Sequence, residues 1–176
     1  MAEVGDPAAP APLTAPAPLA PQHDLSGFDC GEAALNDWLR DRAWRNENRF
    51  SRTYVVCAGQ QVVGFFCIAA GAVARAAAPG RLRRNAPDSI PVSVIGRLAV
   101  DRRYAGRGLG ADLLADALRR IAQAAHSIGI GAVLVHAKSA QARGFYLKHA
   151  EFIEYPADSR CLFLPLDTLH AAIQAR

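Results

Sequence analysis

The sequence predicts a single α/β domain of the α+β class, and three observations support this fold class. The chain has 176 residues, of which 51% are hydrophobic, enough for one compact core and too few for two ordinary domains. The predicted order of elements is helix, hairpin, long loop, strand, helix, strand, helix, strand, strand. Residues 92–100 are nearly all apolar, as in a central strand that is covered on both faces.

The first helix is predicted from a capping pattern and an apolar face. Asp29 and Glu32 have the spacing of a capping box, so the helix should start near Cys30 or Gly31 and end before Phe50. Apolar residues then recur at helical spacing, with charged residues on the opposite face. The apolar face consists of Leu35, Trp38, Leu39 and Ala43.

A hairpin and a long loop should follow this helix. Residues 53–58 and 61–70 are rich in β-branched and aromatic residues, and Gly59-Gln60 has glycine where a type II′ turn requires it. Residues 75–91 are rich in Arg, Pro and Gly without a sustained period, which predicts the longest loop. The other predicted elements are a strand over 92–100, a helix from Leu109 to about His126, a strand over 131–136, a helix over 140–149, a strand pair over 151–155 and 161–164, and a terminal turn of helix over 166–173.

The sequence argues against membrane-spanning and secreted proteins. Apolar stretches reach only about ten residues, half of what a membrane-spanning helix needs. Residues 1–21 contain six of the eleven prolines and no Lys or Arg, so they do not resemble a signal peptide. We therefore expect a cytoplasmic protein without a membrane partner.

The four cysteines are predicted to be reduced thiols. They are scattered, with no CxxC pair and no His at ligand spacing, so neither a metal site nor a disulfide framework is expected. In the predicted hairpin, Cys57 lies opposite Val62 and not opposite Cys67, which argues against a disulfide between these two cysteines.

Positive charge is concentrated in and after the predicted long loop. Residues 25–176 carry 20 basic and 13 acidic groups, and residues 75–107 hold eight arginines against two aspartates. Such a local excess of arginine suits a partner that carries phosphate groups. The alternatives are a coding bias toward arginine and an ordinary solvated surface loop. The eight are Arg75, Arg81, Arg83, Arg84, Arg97, Arg102, Arg103 and Arg107.

A glycine-rich segment follows the predicted central strand and opens the next helix. Gly106-Arg107-Gly108-Leu109-Gly110 would present unhindered backbone N–H groups at a helix N-terminus, where anions are favoured. It is not a Walker A loop, because no Lys-Ser/Thr follows it, and the GxGxxG pattern of dinucleotide sites is incomplete. The segment indicates a phosphate cradle or, alternatively, a tight turn without a ligand.

These residues resemble the GNAT superfamily of acetyl-CoA-dependent N-acetyltransferases, and the resemblance covers nearly the whole chain. The family's signature is Gln/Arg-x-x-Gly-x-Gly/Ala after a strand. Gly108 and Gly110 fill its small positions, whereas Ala105 replaces its Gln or Arg. The resemblance implies a GNAT fold with a mixed, mostly antiparallel sheet and helices on both faces. It also implies that acetyl-CoA is bound by Leu98, Ala99 and Val100 of a splayed strand, by Arg103, Gly106, Arg107, Gly108, Leu109, Gly110 and Ala111, and by Ser139.

The resemblance implies the catalytic residue as well. The segment from Ser139 to Tyr146 is similar to the family's segment after its fifth strand, where a tyrosine is the usual proton donor to the departing CoA thiolate. A phenol with a pKa of about 10 can protonate the thiolate of a thiol with a pKa near 8.5. Tyr146 is therefore the predicted catalytic acid, the alternative being a core aromatic residue. Backbone N–H groups of residues 98–100 are the predicted oxyanion donors.

Within this family, several strings look like the toxin branch of the TacT type. Among them are Phe28-Asp-Cys-Gly31, Ile95-Gly-Arg-Leu-Ala-Val-Asp101 and Leu162-Phe-Leu-Pro-Leu166. This likeness implies acetylation of the α-amine of aminoacyl-tRNA, a block of translation, neutralisation by a ribbon-helix-helix antitoxin, and a homodimer. We expect the tRNA phosphates near Arg81, Arg83, Arg84 and Arg97.

The same likeness sets the expected domain boundaries. It places a first edge strand over Leu13–Ala17, a position in a sheet that tolerates proline. Residues 1–11 are then expected to be a disordered tail, and residues 12–176 one acetyltransferase domain.

The sequence leaves two other functions open. An ordinary GNAT enzyme that acts on a small amine or a protein N-terminus would need no arginine-rich loop, and it would acetylate without arresting growth. A non-catalytic module that binds acetyl-CoA would explain Ala105, and its binding would not depend on Tyr146.

Overall fold

The computed structural model describes residues 11–176, which form a seven-stranded sheet. The strands are β1 (Ala17–Pro18), β2 (Arg52–Ala58), β3 (Gln61–Ala74), β4 (Ser89–Val100), β5 (Ala132–His136), β6 (Ile153–Tyr155) and β7 (Asp158–Pro165). They lie in the order β1-β2-β3-β4-β5-β7-β6. The β4–β5 pair is parallel and the other pairs of this sheet are antiparallel. The predicted mixed, mostly antiparallel sheet is therefore confirmed.

Helices cover both faces of the sheet. They are α1 (Ala33–Asp41), α2 (Ala43–Asn46), α3 (Gly80–Arg83), α4 (Leu109–Ala124), α5 (Ala140–His149) and α6 (Leu166–Gln174). On the α1 face, Leu39 and Phe65 are buried in one apolar cluster. On the opposite face, Phe66, Leu113 and Leu169 are buried in a second cluster with α4 and α6. Phe65 and Phe66 are neighbours on β3, and alternation along a strand sends them to opposite faces.

The first helix begins later than its capping pattern predicts. α1 starts at Ala33, and Glu32 at its N-cap makes no capping hydrogen bond through its side chain. The Asp29 carboxylate instead accepts a hydrogen bond from the Gly31 N–H at 2.9 Å, as in a turn closed by an aspartate side chain. The predicted start near Cys30 or Gly31 is therefore wrong, because Asp29 closes a local turn and does not cap the helix.

The helical region ends before Phe50, as predicted, but it is interrupted once. α1 stops at Asp41, and the single turn of α2 follows after Arg42, whose φ of −119° interrupts the helical geometry. From Glu47 to Ser51 the chain turns back toward the sheet. The apolar spacing predicted the buried face correctly, but it carried no signal for this break.

Two other segments differ from their predictions. The region over 75–91 contains a 3₁₀ turn (Arg75–Ala77) and α3, and β4 begins at Ser89. β1 forms at Ala17–Pro18 and not over Leu13–Ala17, because Leu13 makes only an isolated bridge to the sheet. The predicted tail lies outside the described residues except for its last member, Ala11.

The remaining elements lie where the sequence predicts them. The β2–β3 hairpin turns at Gly59, whose φ is +63°, and Cys57 lies opposite Val62. All four cysteines are free thiols. α4, β5, α5 and the β6–β7 pair are present, while α6 has nine residues and exceeds the expected terminal turn. No helix within residues 11–176 is long and apolar enough to cross a membrane.

Candidate active site

A gap between the parallel strands β4 and β5 forms the centre of the candidate site. The two strands pair only over 92–94, whereas β4 pairs with β3 along its whole length. Gly96 is an extra residue in the β3–β4 register, and such a bulge bends the strand that carries it. β4 therefore diverges from β5, and residues 98–100 have one edge that faces no strand of the described sheet.

The glycine-rich loop after β4 forms the N-terminus of α4. Gly106 and Gly108 have φ values of +75° and +80°, in the left-handed region that favours glycine, and Gly108 is the N-cap of the 16-residue α4. A Cβ placed on either glycine meets no atom within 4 Å, so the space in front of the loop is open. The first N–H groups of a helix have no helical partner and attract anions. The loop therefore fits a phosphate group.

The two arginines that flank this loop have different contacts. Arg103 donates from Nε and Nη2 to the two carboxylate oxygens of Asp101, at 2.9 and 3.0 Å. The Arg107 guanidinium lies 5.2 Å from the centre of the Tyr104 ring and forms no ion pair within residues 11–176. Of the two, Arg107 is the better placed to meet a phosphate group.

Asp101 fixes the end of β4, and the sequence analysis missed it. Its side chain is buried and also accepts a hydrogen bond from the Asp29 N–H at 3.0 Å. Burial raises the pKa of Asp101, but hydrogen bonds from Arg103 and Asp29 outweigh burial and hold that pKa below its ordinary value. The signal in the sequence is a charged residue directly after an apolar strand.

A short segment links the far ends of the diverging strands. Asp29 forms an ion pair with Arg102, just after β4, and Glu32 forms one with Lys138, just after β5. The segment 29–32 therefore spans the open end of the gap. Neither contact could be predicted from sequence spacing, because the partners lie 73 and 106 residues apart.

Tyr146 is buried in the apolar cluster that contains Ile95, the residue before the bulge of β4. It is on α5, its side chain is only 7% exposed, and it contacts Phe145 and Phe152 edge-on at centroid distances of 5.3 and 5.8 Å. Burial, together with the nearby Cys67 thiol, raises the pKa of Tyr146 to about 12. Cys67 lies opposite Arg97, the residue after Gly96. The phenol is therefore protonated at neutral pH and can give up a proton beside the gap.

Two contacts position α5. The Ser139 hydroxyl accepts a hydrogen bond from the Ala142 N–H at 3.1 Å and so caps the helix. A Cβ on Gly110 would lie 3.4 Å from Phe145 Cε2, so glycine allows α4 and α5 to approach closely. Ser139 and Gly110 therefore have structural roles at the positions predicted to contact a cofactor.

The arginines between 75 and 107 are not brought together by the fold. One exposed group lies on or beside α3, at the start of β4; it consists of Arg81, Arg83 and Arg84. Arg97 lies beyond the bulge, where its guanidinium is 4.4 Å from the centre of the Trp38 ring. Residues 90–100 of β4 span about 33 Å. The α3 group and Arg97 therefore lie toward opposite ends of the strand.

No group of three or more His, Cys, Asp or Glu side chains in residues 11–176 has an arrangement that could hold a metal ion.

Comparisons with known proteins agree with this geometry. The model of the acetyltransferase (GNAT) family matches residues 20–152. A tRNA-acetylating toxin of Mycobacterium tuberculosis is 47% identical over 161 residues, which cover 91% of this chain and 96% of the toxin.

Two solved structures have the same fold along nearly their whole length. AtaT complexed with acetyl-methionyl-tRNAfMet has a TM-score of 0.84 at 32% identity, over 92% of this chain and 99% of that chain. A mutant AtaT toxin bound to the C-terminus of the antitoxin AtaR and to acetyl-CoA has a TM-score of 0.77 at 30% identity, over 93% of this chain and 99% of that chain.

Proposed function

This chain belongs to the GNAT family of acetyltransferases, and from that premise we propose that it transfers the acetyl group of acetyl-CoA to the α-amine of aminoacyl-tRNA and so blocks translation. The observation that carries the proposal is the 47% identity, over 91% of the chain, to a tRNA-acetylating toxin. The gap, the phosphate-binding loop and the buried phenol supply the chemistry that such a transfer needs.

Acetyl-CoA is the proposed co-substrate, and it supplies an acetyl group activated as a thioester. The backbone of Gly106–Ala111, including the first N–H groups of α4, would hold the pyrophosphate. The Arg107 side chain would add a positive charge. The free edge of Leu98–Val100 would pair with the extended pantetheine arm, as a neighbouring strand would. Arg103 would contribute mainly by fixing Asp101, and Ser139 by capping α5.

The proposed chemistry uses one protonated side chain and the free backbone of β4. Backbone N–H groups of residues 98–100 would stabilise the negative charge that develops on the carbonyl oxygen when the amine attacks. Tyr146 would donate its proton to the departing thiolate. The α-amine of an amino acid has a pKa of about 8 and is partly neutral at physiological pH. The reaction therefore needs no strong general base.

The proposed activity implies a partner and a location. An enzyme that inactivates charged tRNA must be restrained in its own cell, and we propose a ribbon-helix-helix antitoxin for that role. The AtaT structure that contains the C-terminus of the antitoxin AtaR supports this. We further propose a cytoplasmic homodimer, with residues 12–176 as the acetyltransferase domain and no metal requirement.

Cell-free translation tests the proposal against the ordinary GNAT alternative. The wild-type protein should stop translation only when acetyl-CoA is present, and fresh charged tRNA added after the enzyme has been removed should restore it. The Tyr146→Phe variant serves as the matched control. Undiminished translation, together with acetylation of small amines, would establish the alternative.

A further inference from the structure

Two large aromatic side chains are exposed between α1 and β2. Trp44 on α2 is 42% exposed and Phe50 is 71% exposed. They belong to one compact turn, because the Phe50 N–H donates to the Asn46 carbonyl at 2.9 Å. Aromatic side chains are enriched at the surfaces where proteins bind their partners. This turn is therefore a candidate contact surface.

The same turn exposes four arginines, against a single acidic residue, Glu47, between them. They are Arg42, Arg45, Arg49 and Arg52. None of the four forms an ion pair within the part of the chain that the structure describes, and the Arg49 guanidinium lies 5.8 Å from the centre of the Phe50 ring. Unpaired guanidinium groups beside exposed rings match the phosphates and bases of a single-stranded nucleic acid.

The register of the sheet places this turn near the bulge. Arg52 lies opposite Ile68 on β3, and Ile68 lies opposite Ile95, the residue before Gly96. Adjacent strands are about 4.8 Å apart, so the backbone of Arg52 is about 10 Å from the backbone of the bulge. The amino acid of a charged tRNA is esterified to its unpaired 3′-terminal nucleotide. An amine held at the bulge would therefore bring that nucleotide close to the turn.

We propose that Trp44 and Phe50 stack on the unpaired 3′-terminal bases of aminoacyl-tRNA while the four arginines neutralise the adjacent phosphates. We call these six residues the stacking platform. The inference rests on the proposed function and identifies the surface that receives the acceptor end. Because every base has a flat face, the platform contributes affinity for the acceptor end without selecting a particular tRNA.

Two double variants separate stacking from general hydrophobicity. Trp44→Leu/Phe50→Leu keeps apolar side chains but removes the flat rings, whereas Trp44→Phe/Phe50→Tyr keeps the rings. The leucine variant should bind uncharged tRNA at least about tenfold more weakly, raise the KM for charged tRNA, and leave kcat and acetyl-CoA binding unchanged. The aromatic variant should behave like the wild type. Ile128→Ala, which alters an exposed apolar residue after α4, is the control.

The outcomes distinguish this inference from the proposed function. Equal tRNA binding by the wild type and the leucine variant would overturn the proposed platform. It would also be overturned if the leucine variant bound tRNA normally but bound a protein antitoxin more weakly than the wild type does. Failure of the proposed function would show as a wild-type protein that does not acetylate charged tRNA at all. The tRNA-binding comparison would still decide the platform in that case.

Discussion

Tyr146 is buried in the same apolar cluster as Ile95, and its pKa is raised to about 12. Replacement by phenylalanine keeps the ring in the core but removes the proton. We expect Tyr146→Phe to lower kcat at least about a hundredfold, with acetyl-CoA affinity nearly unchanged. Steady-state kinetics and calorimetric titration with acetyl-CoA measure the two effects separately. A large rise in the acetyl-CoA dissociation constant would show that the hydroxyl has a structural role.

The same raised pKa predicts a pH profile. The proposed role of Tyr146 requires its protonated form, and with a pKa of about 12 its ionisation should not reduce activity near or below pH 10. The rate should instead rise with pH as the acceptor α-amine loses its proton near a pKa of about 8. Initial rates between pH 6 and 10, corrected for ester hydrolysis, check this. A fall in rate above pH 9 would argue that an ordinary, accessible phenol is the acid.

Asp101 should contribute to the free energy of unfolding. Asp101→Asn removes a charged acceptor that is bound by Arg103 and by the Asp29 N–H, and it should lower the free energy of unfolding by about 2 kcal/mol. Asp88→Asn, at an exposed ion pair with Arg75, should change it by less than about 0.5 kcal/mol. Urea unfolding of both variants tests the difference.

The pH dependence of that stability has a definite sign. The pKa of Asp101 in the folded protein lies below its ordinary value of 3.8. Its stabilising contribution is therefore complete above that ordinary value and is lost as the pH falls through the lowered folded value. The difference between the wild type and Asp101→Asn should shrink below about pH 4. A difference that stays constant down to pH 2 would contradict this.

At the scale of secondary structure, the loop before α4 and the hairpin turn offer a matched pair of glycines. Gly108 and Gly59 both have positive φ and open space around a Cβ, so an aspartate at either position should cost about 1 kcal/mol of strain. Only Gly108→Asp would also place a carboxylate in the proposed phosphate cradle. It should weaken acetyl-CoA binding at least about tenfold, whereas Gly59→Asp should not. Equal affinities in a calorimetric titration would place the phosphate site elsewhere.

Elements with a clear apolar period could be predicted, and elements set by distant contacts could not. The apolar spacing of Leu113, Leu118 and Ile121 located α4 almost to its ends, since one buried face dictates the helix. The start of α1 was missed because Asp29 closes a turn and pairs with Arg102, which is far along the sequence. The bulge had one local signal, a glycine within the apolar strand β4.

At the scale of the whole molecule, the fold separates what the sequence places together. The arginines between 75 and 107 suggested one basic surface, but β4 is extended and carries Arg97 away from the α3 group. Nothing in the amino-acid spacing connects Arg52 with the bulge of β4, because that proximity depends on the register of three strands. Resemblance to the family located Tyr146 and the glycine loop, whose catalytic and binding roles remain predictions.

We therefore expect the arginines of the α3 group to contact tRNA far from the proposed site of acetyl transfer. Arg83→Ala/Arg84→Ala should weaken tRNA binding and reduce the salt slope of log K by about 1 to 2, because two proposed phosphate contacts would be lost. Acetyl-CoA binding should stay unchanged. Filter binding at salt concentrations between roughly 50 and 300 mM measures this slope. An unaltered slope would remove both residues from the proposed RNA surface.

Label transfer from radioactive acetyl-CoA tests the central claim most directly. Purified protein is incubated with a total pool of charged tRNA, with uncharged tRNA and the Tyr146→Phe variant as controls. We predict that label enters RNA only when the tRNA is charged and Tyr146 is present. Absence of label from charged tRNA, while the wild-type protein still binds acetyl-CoA, would contradict the account.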